Sequence, residues 1–276
     1  VENIVVDHTN ADFVSRNGVL FDTNNVLVAY PNGRTGEEIV FPGTINEIDK
    51  EAIYKINGLK RIYFETDDYK TVPGLKDNGI VSTSNELIDV YVSDATLGSV
   101  LMQGYYAEPS WEEYEKANKL HCYYPLKVSD ANWATLYIGF DTELPAALTP
   151  YIVPAIDEAN KIATLQQVKR KVPKKSPIVI KANASGLYRL TPLSEELDAW
   201  KMYQNRLNGV NRDGMKITQG DSDRGGILTL GRHYDKEGNA TLGFFYYTKE
   251  FLPPYRAYLT HDEIIDPTNV HYLLAF

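Results

Sequence analysis

Apolar residues in the first half of the chain fall into a repeated pattern. The spacing apolar-x-x-apolar-x-apolar occurs at Val1, Ile4 and Val6, again at Leu59, Ile62 and Phe64, and again at Leu87, Val90 and Val92. The second and third copies stand 28 residues apart (87 − 59), close to half the offset of 58 (59 − 1) between the first two. Each copy ends in the period-2 alternation of a short strand with one buried face. Between the first two copies, apolar arms on either side of Asp22-Thr23-Asn24-Asn25 predict a β-hairpin, because asparagine tolerates the positive φ of a tight turn. Ile39-Val40-Phe41-Pro42 then leads to Ile45, Ile48, Ala52, Ile53 and Ile56, and the spacing of the last four suits a short helical or irregular turn laid on the strand. A unit of this kind cannot bury its own face, so the units must stack.

The second half reads differently. Short alternating or apolar runs at 133–138, 151–153, 178–180, 186–190, 227–230, 242–247 and 270–276 are separated by turn residues, which predicts a β-sandwich or barrel. The strongest local signal is a hairpin. Its arms Leu228-Thr229-Leu230-Gly231 and Leu242-Gly243-Phe244-Phe245-Tyr246 flank a turn containing Asp235, Gly238 and Asn239. One short helix is expected at 194–197, with Ser194 as its cap. Residues 118–125 read as the linker between the halves.

Charge supports that division. The net charge is −9, but residues 1–125 hold 20 Asp or Glu against 10 Lys or Arg, and residues 126–276 hold 17 against 18. The shift predicts two units with a seam near residue 120. An acidic first half repels phosphates, which argues against nucleic-acid partners. The basic run Lys169-Arg170-Lys171 with Lys174-Lys175 is interrupted by Pro173 and reads as a solvated connection. No apolar run approaches eighteen residues, so no membrane-spanning helix is expected. The first residues lack the basic start and apolar stretch of a secretory signal. Because the chain opens inside what reads as a repeat, the expectation is that a signal has been removed. Cys122 is the single cysteine, which excludes a disulfide within the chain and a thiolate zinc cluster. The 20 tyrosines suit strands and recognition surfaces alike.

Two resemblances sharpen these expectations. The stretch NGVLFDTNNVLVAYPNGRTGEEIVFPGTINEIDKEAIYKINGLKRIYF resembles the BspA-type leucine-rich repeat of bacterial surface proteins, which alternates a DGVLF…LVAYP hairpin insert with IP…V..I…AF…L..I. The match lies at residues 18–21 and 27–31, at Phe41-Pro42, and at Ile45, Ile48, Ala52, Leu59 and Ile62, while Ile53 stands where Phe is usual. Residues 87–118 resemble the closing repeat of that family, a strand followed by a capping helix with Trp111-Glu112-Glu113-Tyr114. About three repeats are present, fewer than in the long arrays of the family. The segments WATLYIGF, YIV, SPIVI, ILTLG, GFF and RAYL are similar, in that order, to a C-terminal β module that recurs behind repeat arrays in secreted proteins of Gram-negative anaerobes. The resemblances imply a mainly β fold: a short leucine-rich-repeat-like solenoid with a capping helix over 1–120, then a β-sandwich-like domain over 121–276. They imply an extracytoplasmic location, on the cell surface or secreted, and bring no catalytic residue with them.

Motifs of chemistry are scarce. There is no G-x-G-x-x-G, no phosphate loop, no G-x-S-x-G elbow, and no histidine pair at helical zinc spacing. His121 and Cys122 are adjacent, but neighbours on a strand point to opposite faces and make no nucleophile–base pair. Asp221-Ser222-Asp223 lacks the closing glutamate of a calcium loop and reads as a turn. The expectation is therefore no catalytic residue, no metal and no cofactor. The best aromatic cluster for stacking on a ligand is Tyr105, Tyr106 and Trp111; the competing reading is that Trp111 and Tyr114 seal the end of the repeat array. Together these readings point to a non-catalytic surface or secreted adhesion-type protein that binds a host or neighbouring-cell protein, or a glycan. The alternatives are a carbohydrate-binding module of a polysaccharide-uptake system and, third, a hydrolase with an unrecognised carboxylate pair.

Overall fold

A computed structural model of the chain describes residues 1–42, 45–65, 74–75, 79–81, 87–93, 112–200, 205–211, 213–217, 226–234, 237–260 and 271–276. About half of the chain is strand and almost none is helix, so the protein is mainly β. It divides into two units, Val1–Tyr123 and Tyr124–Phe276.

In the first unit, β1 (Phe13–Arg16), β2 (Val19–Asp22) and β3 (Val26–Ala29) form an antiparallel meander. The β2–β3 turn is the one its asparagines predict: Asn25 takes φ +61°, and Asp22 accepts the N–H groups of Asn24 and Val26 at 2.8 Å each. Among the described residues, every later pairing in this unit is parallel. β4 (Glu38–Pro42), β7 (Arg61–Glu65), β10 (Asp89–Ser93) and the first half of β11 (Leu120–Val128) align Ile39, Ile62, Val90 and Leu120 side by side. β3, β5 (Glu47–Ile48) and β8 (Gly74–Leu75) align Leu27, Ile48 and Leu75, while β6 (Ile53–Tyr54) lies beside β9 (Ile80–Val81). The inward rows of these ladders meet in one core, which includes Leu27, Ile48, Ile53, Ile62 and Val90, each wholly buried. One helix, α1 (Glu112–Lys116), buries Tyr114 against that core.

Three expectations for this unit are corrected. Residues 1–7 form no strand, and Val1 and Val5 are 77% and 86% exposed. The segment is tied down instead by Ile4 N–H to the Gly18 carbonyl and by Gly33 N–H to the Val1 carbonyl. Residues 48–56, expected as a short helical or irregular turn, form no helix: Ile48 and Ile53 lie in two-residue strands, and Glu51 and Lys55 take positive φ (+54° and +44°) and turn the chain between ladders. The supposed linker 118–125 is largely strand: Asn118, at φ +54°, makes the turn, and β11 follows.

In the second unit, the later half of β11 pairs with β18 (Gly186–Leu190). Nine strands form a nearly closed, barrel-like sheet among the described residues. Its order is β12 (Trp133–Leu136), β17 (Ile178–Ala182), β14 (Leu148–Asp157), β15 (Ile162–Gln167), β25 (His271–Ala275), β22 (Ala240–Tyr246), β21 (Ile227–Tyr234), β24 (Ala257–Thr260) and β19 (Asn208–Gly209). Two short pairs, β13 (Thr142–Glu143) with β16 (Lys171–Val172) and β20 (Met215–Lys216) with β23 (Phe251–Leu252), lie outside it.

The curl has a local cause. Between Ile152 and Ala155, β14 sets two residues, Val153 and Pro154, against Leu165 of β15, and a bulge suits proline, which has no N–H to give the ladder. A bulge bends a strand and raises its twist, which lets one sheet approach closure; of the sandwich and the barrel that the strand spacing allows, the sheet is barrel-like, where the resemblance implies a sandwich. The chain segments after β12 and before β24 meet through Tyr137 N–H and the Tyr255 carbonyl at 2.9 Å. Alternation along β17 gives each face its own core: Val179 joins Val153, Phe244 and Tyr272 on one side, and Ile178 and Ile180 join Leu126, Val128 and Leu190 of the β11–β18 pair on the other.

Residues 194–197 form no helix. Glu195 and Glu196 are held by Lys171 and Lys174, and Leu197 N–H reaches the carboxylate of Asp141. The basic residues at 169–175 are all exposed, as expected of a solvated connection, and three of them are also tethered: Lys171 and Lys174 by ion pairs, and Arg170 by donating to the Leu144 carbonyl at 3.1 Å.

Candidate functional site

Parallel pairing with residues level across strands stacks equivalent side chains at roughly the 4.8 Å strand spacing. On the face of β4–β7–β10–β11 opposite the core, this produces a row of rings. Tyr63 and Tyr91 are partners across β7 and β10, and Tyr91 and His121 across β10 and β11. The Tyr63 and Tyr91 rings stack at 4.7 Å and 19°, and the Tyr91 and His121 rings lie 4.9 Å apart at 32°. Tyr123 meets Tyr63 edge-on at 5.4 Å and donates its hydroxyl to the Phe64 carbonyl at 3.2 Å. Tyr63 and Tyr123 are buried, whereas Tyr91 and His121 are half-buried and reachable.

Two residues earlier on each strand, and so on the same face, a second row alternates in charge. Arg61 lies 3.7 Å from Glu38 on one side and is level with Asp89 on the other. Asp89 accepts from Lys119 Nζ at 3.1 Å and from His121 Nε2 at 2.7 Å. An ionised carboxylate only accepts, so Nε2 carries the proton in this pair. Burial pushes the Asp89 carboxyl up, but the hydrogen bonds from His121 and Lys119, with their charge, outweigh it and hold the group below the usual carboxylate range. Burial also raises the Tyr91 hydroxyl above its ordinary value, the nearby Asp89 charge adds to this, and Arg61 partly opposes it. The result is a pre-organised strip, aromatic along one row and ionic along the next.

The sequence-predicted ligand cluster Tyr105, Tyr106 and Trp111 lies outside the described residues, as does the 221–223 turn. Tyr114, the other member of the proposed end seal, is buried on α1, and that burial pushes its hydroxyl up. Cys122 shares the inner face with its partner Val92, opposite His121. Among the described residues, no group of three or more His, Cys, Asp or Glu is placed to hold a metal, and no helix is long and apolar enough to cross a membrane.

Sequence reasoning passed over Tyr63, Tyr91 and Asp89 as site residues and weighed His121 only as a partner of Cys122. The signal for the tyrosines is the single position between the last two apolar residues of the second and third triplets, which alternation turns away from the core. No protein-family model, curated protein or solved structure matches the chain.

Proposed function

We propose that this chain is a non-catalytic, extracytoplasmic binding protein of the adhesion type, and that the ring-and-charge strip on β7, β10 and β11 is its recognition surface. The first unit is read as a short leucine-rich-repeat-like solenoid with a closing helix, and the second as its C-terminal β module. The parallel ladders at Ile39, Ile62, Val90 and Leu120 and at Leu27, Ile48 and Leu75 support the repeat reading. The location rests on the resemblance to BspA-type surface proteins.

The carrying observation is the stacked Tyr63–Tyr91–His121 row beside the Asp89 ion cluster. It favours protein over glycan. A sugar packs on the open face of an aromatic ring, but here the Tyr63 and Tyr91 faces are spent on each other. Ring edges, an imidazole and paired charges are what remain, and these suit a protein surface with aromatic and Arg anchors.

The test is an array of purified extracellular-matrix proteins and glycans probed with the whole chain, followed by the same array with Tyr91→Ala. A protein ligand whose affinity falls at least about tenfold, roughly 1.4 kcal/mol, is the expected result. Tyr234→Ala, at a 57% exposed tyrosine of β21, should leave binding intact. A ligand bound equally well by Tyr91→Ala and wild type would remove the strip from the account.

A further inference from the structure

The first unit carries twice as many acidic as basic residues, yet one of its cavities is lined by two arginines and no acid. The cavity, of about 110 Å³, opens between the β1–β3 meander and β4. Buried Val19, Phe21, Phe41 and Ile45 make its apolar floor, and Arg16 and Arg34 also line it. An enclosed apolar cavity of about 150 Å³ holds a whole benzene ring; this one is smaller and open, so a ring or branched aliphatic group would enter it in part and leave its carboxylate at the mouth.

Both guanidinium groups are fixed. Arg16 lies 5.2 Å over the Phe21 ring and gives one N–H to Asn25 Oδ1 at 2.7 Å. Arg34 lies 5.4 Å over Tyr30 and donates to the Glu2 carbonyl at 2.8 Å, to Asn3 Oδ1 at 2.7 Å and to the Asn17 carbonyl. Gly18 makes room for this: at φ +74°, a Cβ there would sit 2.6 Å from the Arg34 guanidinium. None of these partners is an anion. Arg16 keeps Nε and one terminal nitrogen, and Arg34 one terminal nitrogen, without a hydrogen-bond partner among the described residues. Two rigid cations with spare donors above a small apolar floor select a ligand with both features, because a guanidinium fork matches a carboxylate and the floor rewards an apolar group.

We propose that this pocket binds a small organic carboxylate with a compact apolar body, about the size of one aromatic ring or one branched aliphatic side chain. The carboxylate sits on Arg16 and Arg34, and the body rests on Phe21, Phe41 and Ile45. The site is separate from the ring-and-charge strip, and either assignment stands if the other fails.

Titration calorimetry of the whole chain with phenylacetate, its neutral amide 2-phenylacetamide, and inorganic phosphate tests it. Phenylacetate should bind saturably, one per chain, at least tenfold more tightly than the amide or phosphate. Arg16→Gln, at an exposed position, should weaken phenylacetate at least tenfold with an unchanged circular-dichroism spectrum. Gly18→Ala should weaken it too, by displacing Arg34. The proposal is overturned if phenylacetate fails to bind, if the amide or phosphate binds as well, or if Arg16→Gln binds phenylacetate like wild type.

Discussion

Asp89 joins the two rows of the strip. Its carboxylate takes hydrogen bonds from Lys119 and His121, and its side chain is 31% exposed, so water screens the arrangement without dissolving it. The folded state holds this carboxyl below its ordinary value, near 3.9 for a free aspartate. A depressed folded pKa means that the unfolded chain takes up the proton first as the pH drops. The stabilisation is therefore complete above about pH 4 and is lost as the pH falls through the lower, folded value. Asp89→Asn keeps the shape and removes the charge. It should cost about 1 kcal/mol near pH 7, the low end for hydrogen bonds to a charged group because this one remains partly in water. Urea unfolding of both proteins between pH 7 and pH 3 reads the effect: the gap should narrow steadily below about pH 4. A gap that stays constant over that range would mean that the carboxylate charge contributes nothing.

At the scale of the element, the short strands of the first unit owe their existence to their neighbours. β5, β6, β8 and β9 have two residues each, too few to persist except between ladders. β7 is the clearest case: Ile62, wholly buried, lies level with Ile39 on one side and Val90 on the other. Ile62→Ala should cost roughly 2–4 kcal/mol, because the methyls it removes cannot be replaced by collapse of a row held on both sides. Phe13→Ala, on edge strand β1 at a 40% exposed site, should stay within about 0.5 kcal/mol although it deletes a larger side chain. Urea midpoints at constant slope give both values.

The same contrast explains what was legible in the chain. Ile62/Phe64 and Val90/Val92 announce their strands by alternation, and alternation places Tyr63 and Tyr91 outside. His121 was hidden because Asn118, Lys119 and His121 interrupt the apolar pattern, and only pairing with β10 makes that segment a strand. Positions 45–56 were hidden because short strands in successive ladders repeat at the three- and four-residue intervals of a helix. The cavity arginines were hidden for a different reason: Arg16 and Arg34 come together only when Gly18 admits the guanidinium.

At the scale of the whole chain, the second unit depends on its last strand. β25 is not at an edge: it lies between β15, to which it is parallel, and β22, to which it is antiparallel. Tyr272 is wholly buried in the core there and donates its hydroxyl to Glu158 at 2.6 Å. Gly243 faces this strand, and a Cβ on it would fall 2.6 Å from the Tyr272 carbonyl. The pairing of Ile162 with Leu273 therefore joins the two halves of the sheet between residues far apart in sequence, the kind of contact that forms slowly because the intervening chain must be ordered first. Until β25 arrives, β15 and β22 both expose unpaired backbone, which is an open template for association with other chains. Deleting residues 271–276 should leave a chain that aggregates on refolding and loses hydrogen-exchange protection along β15 and β22. Leu273→Ser provides the contrast, since Leu273 is 43% exposed and its backbone bonds are untouched. That variant should refold to a soluble protein within about 0.5 kcal/mol of wild type. If the deleted chain refolds with β15 and β22 protected as in the intact protein, the strand is an addition to the sheet and not the piece that joins its halves.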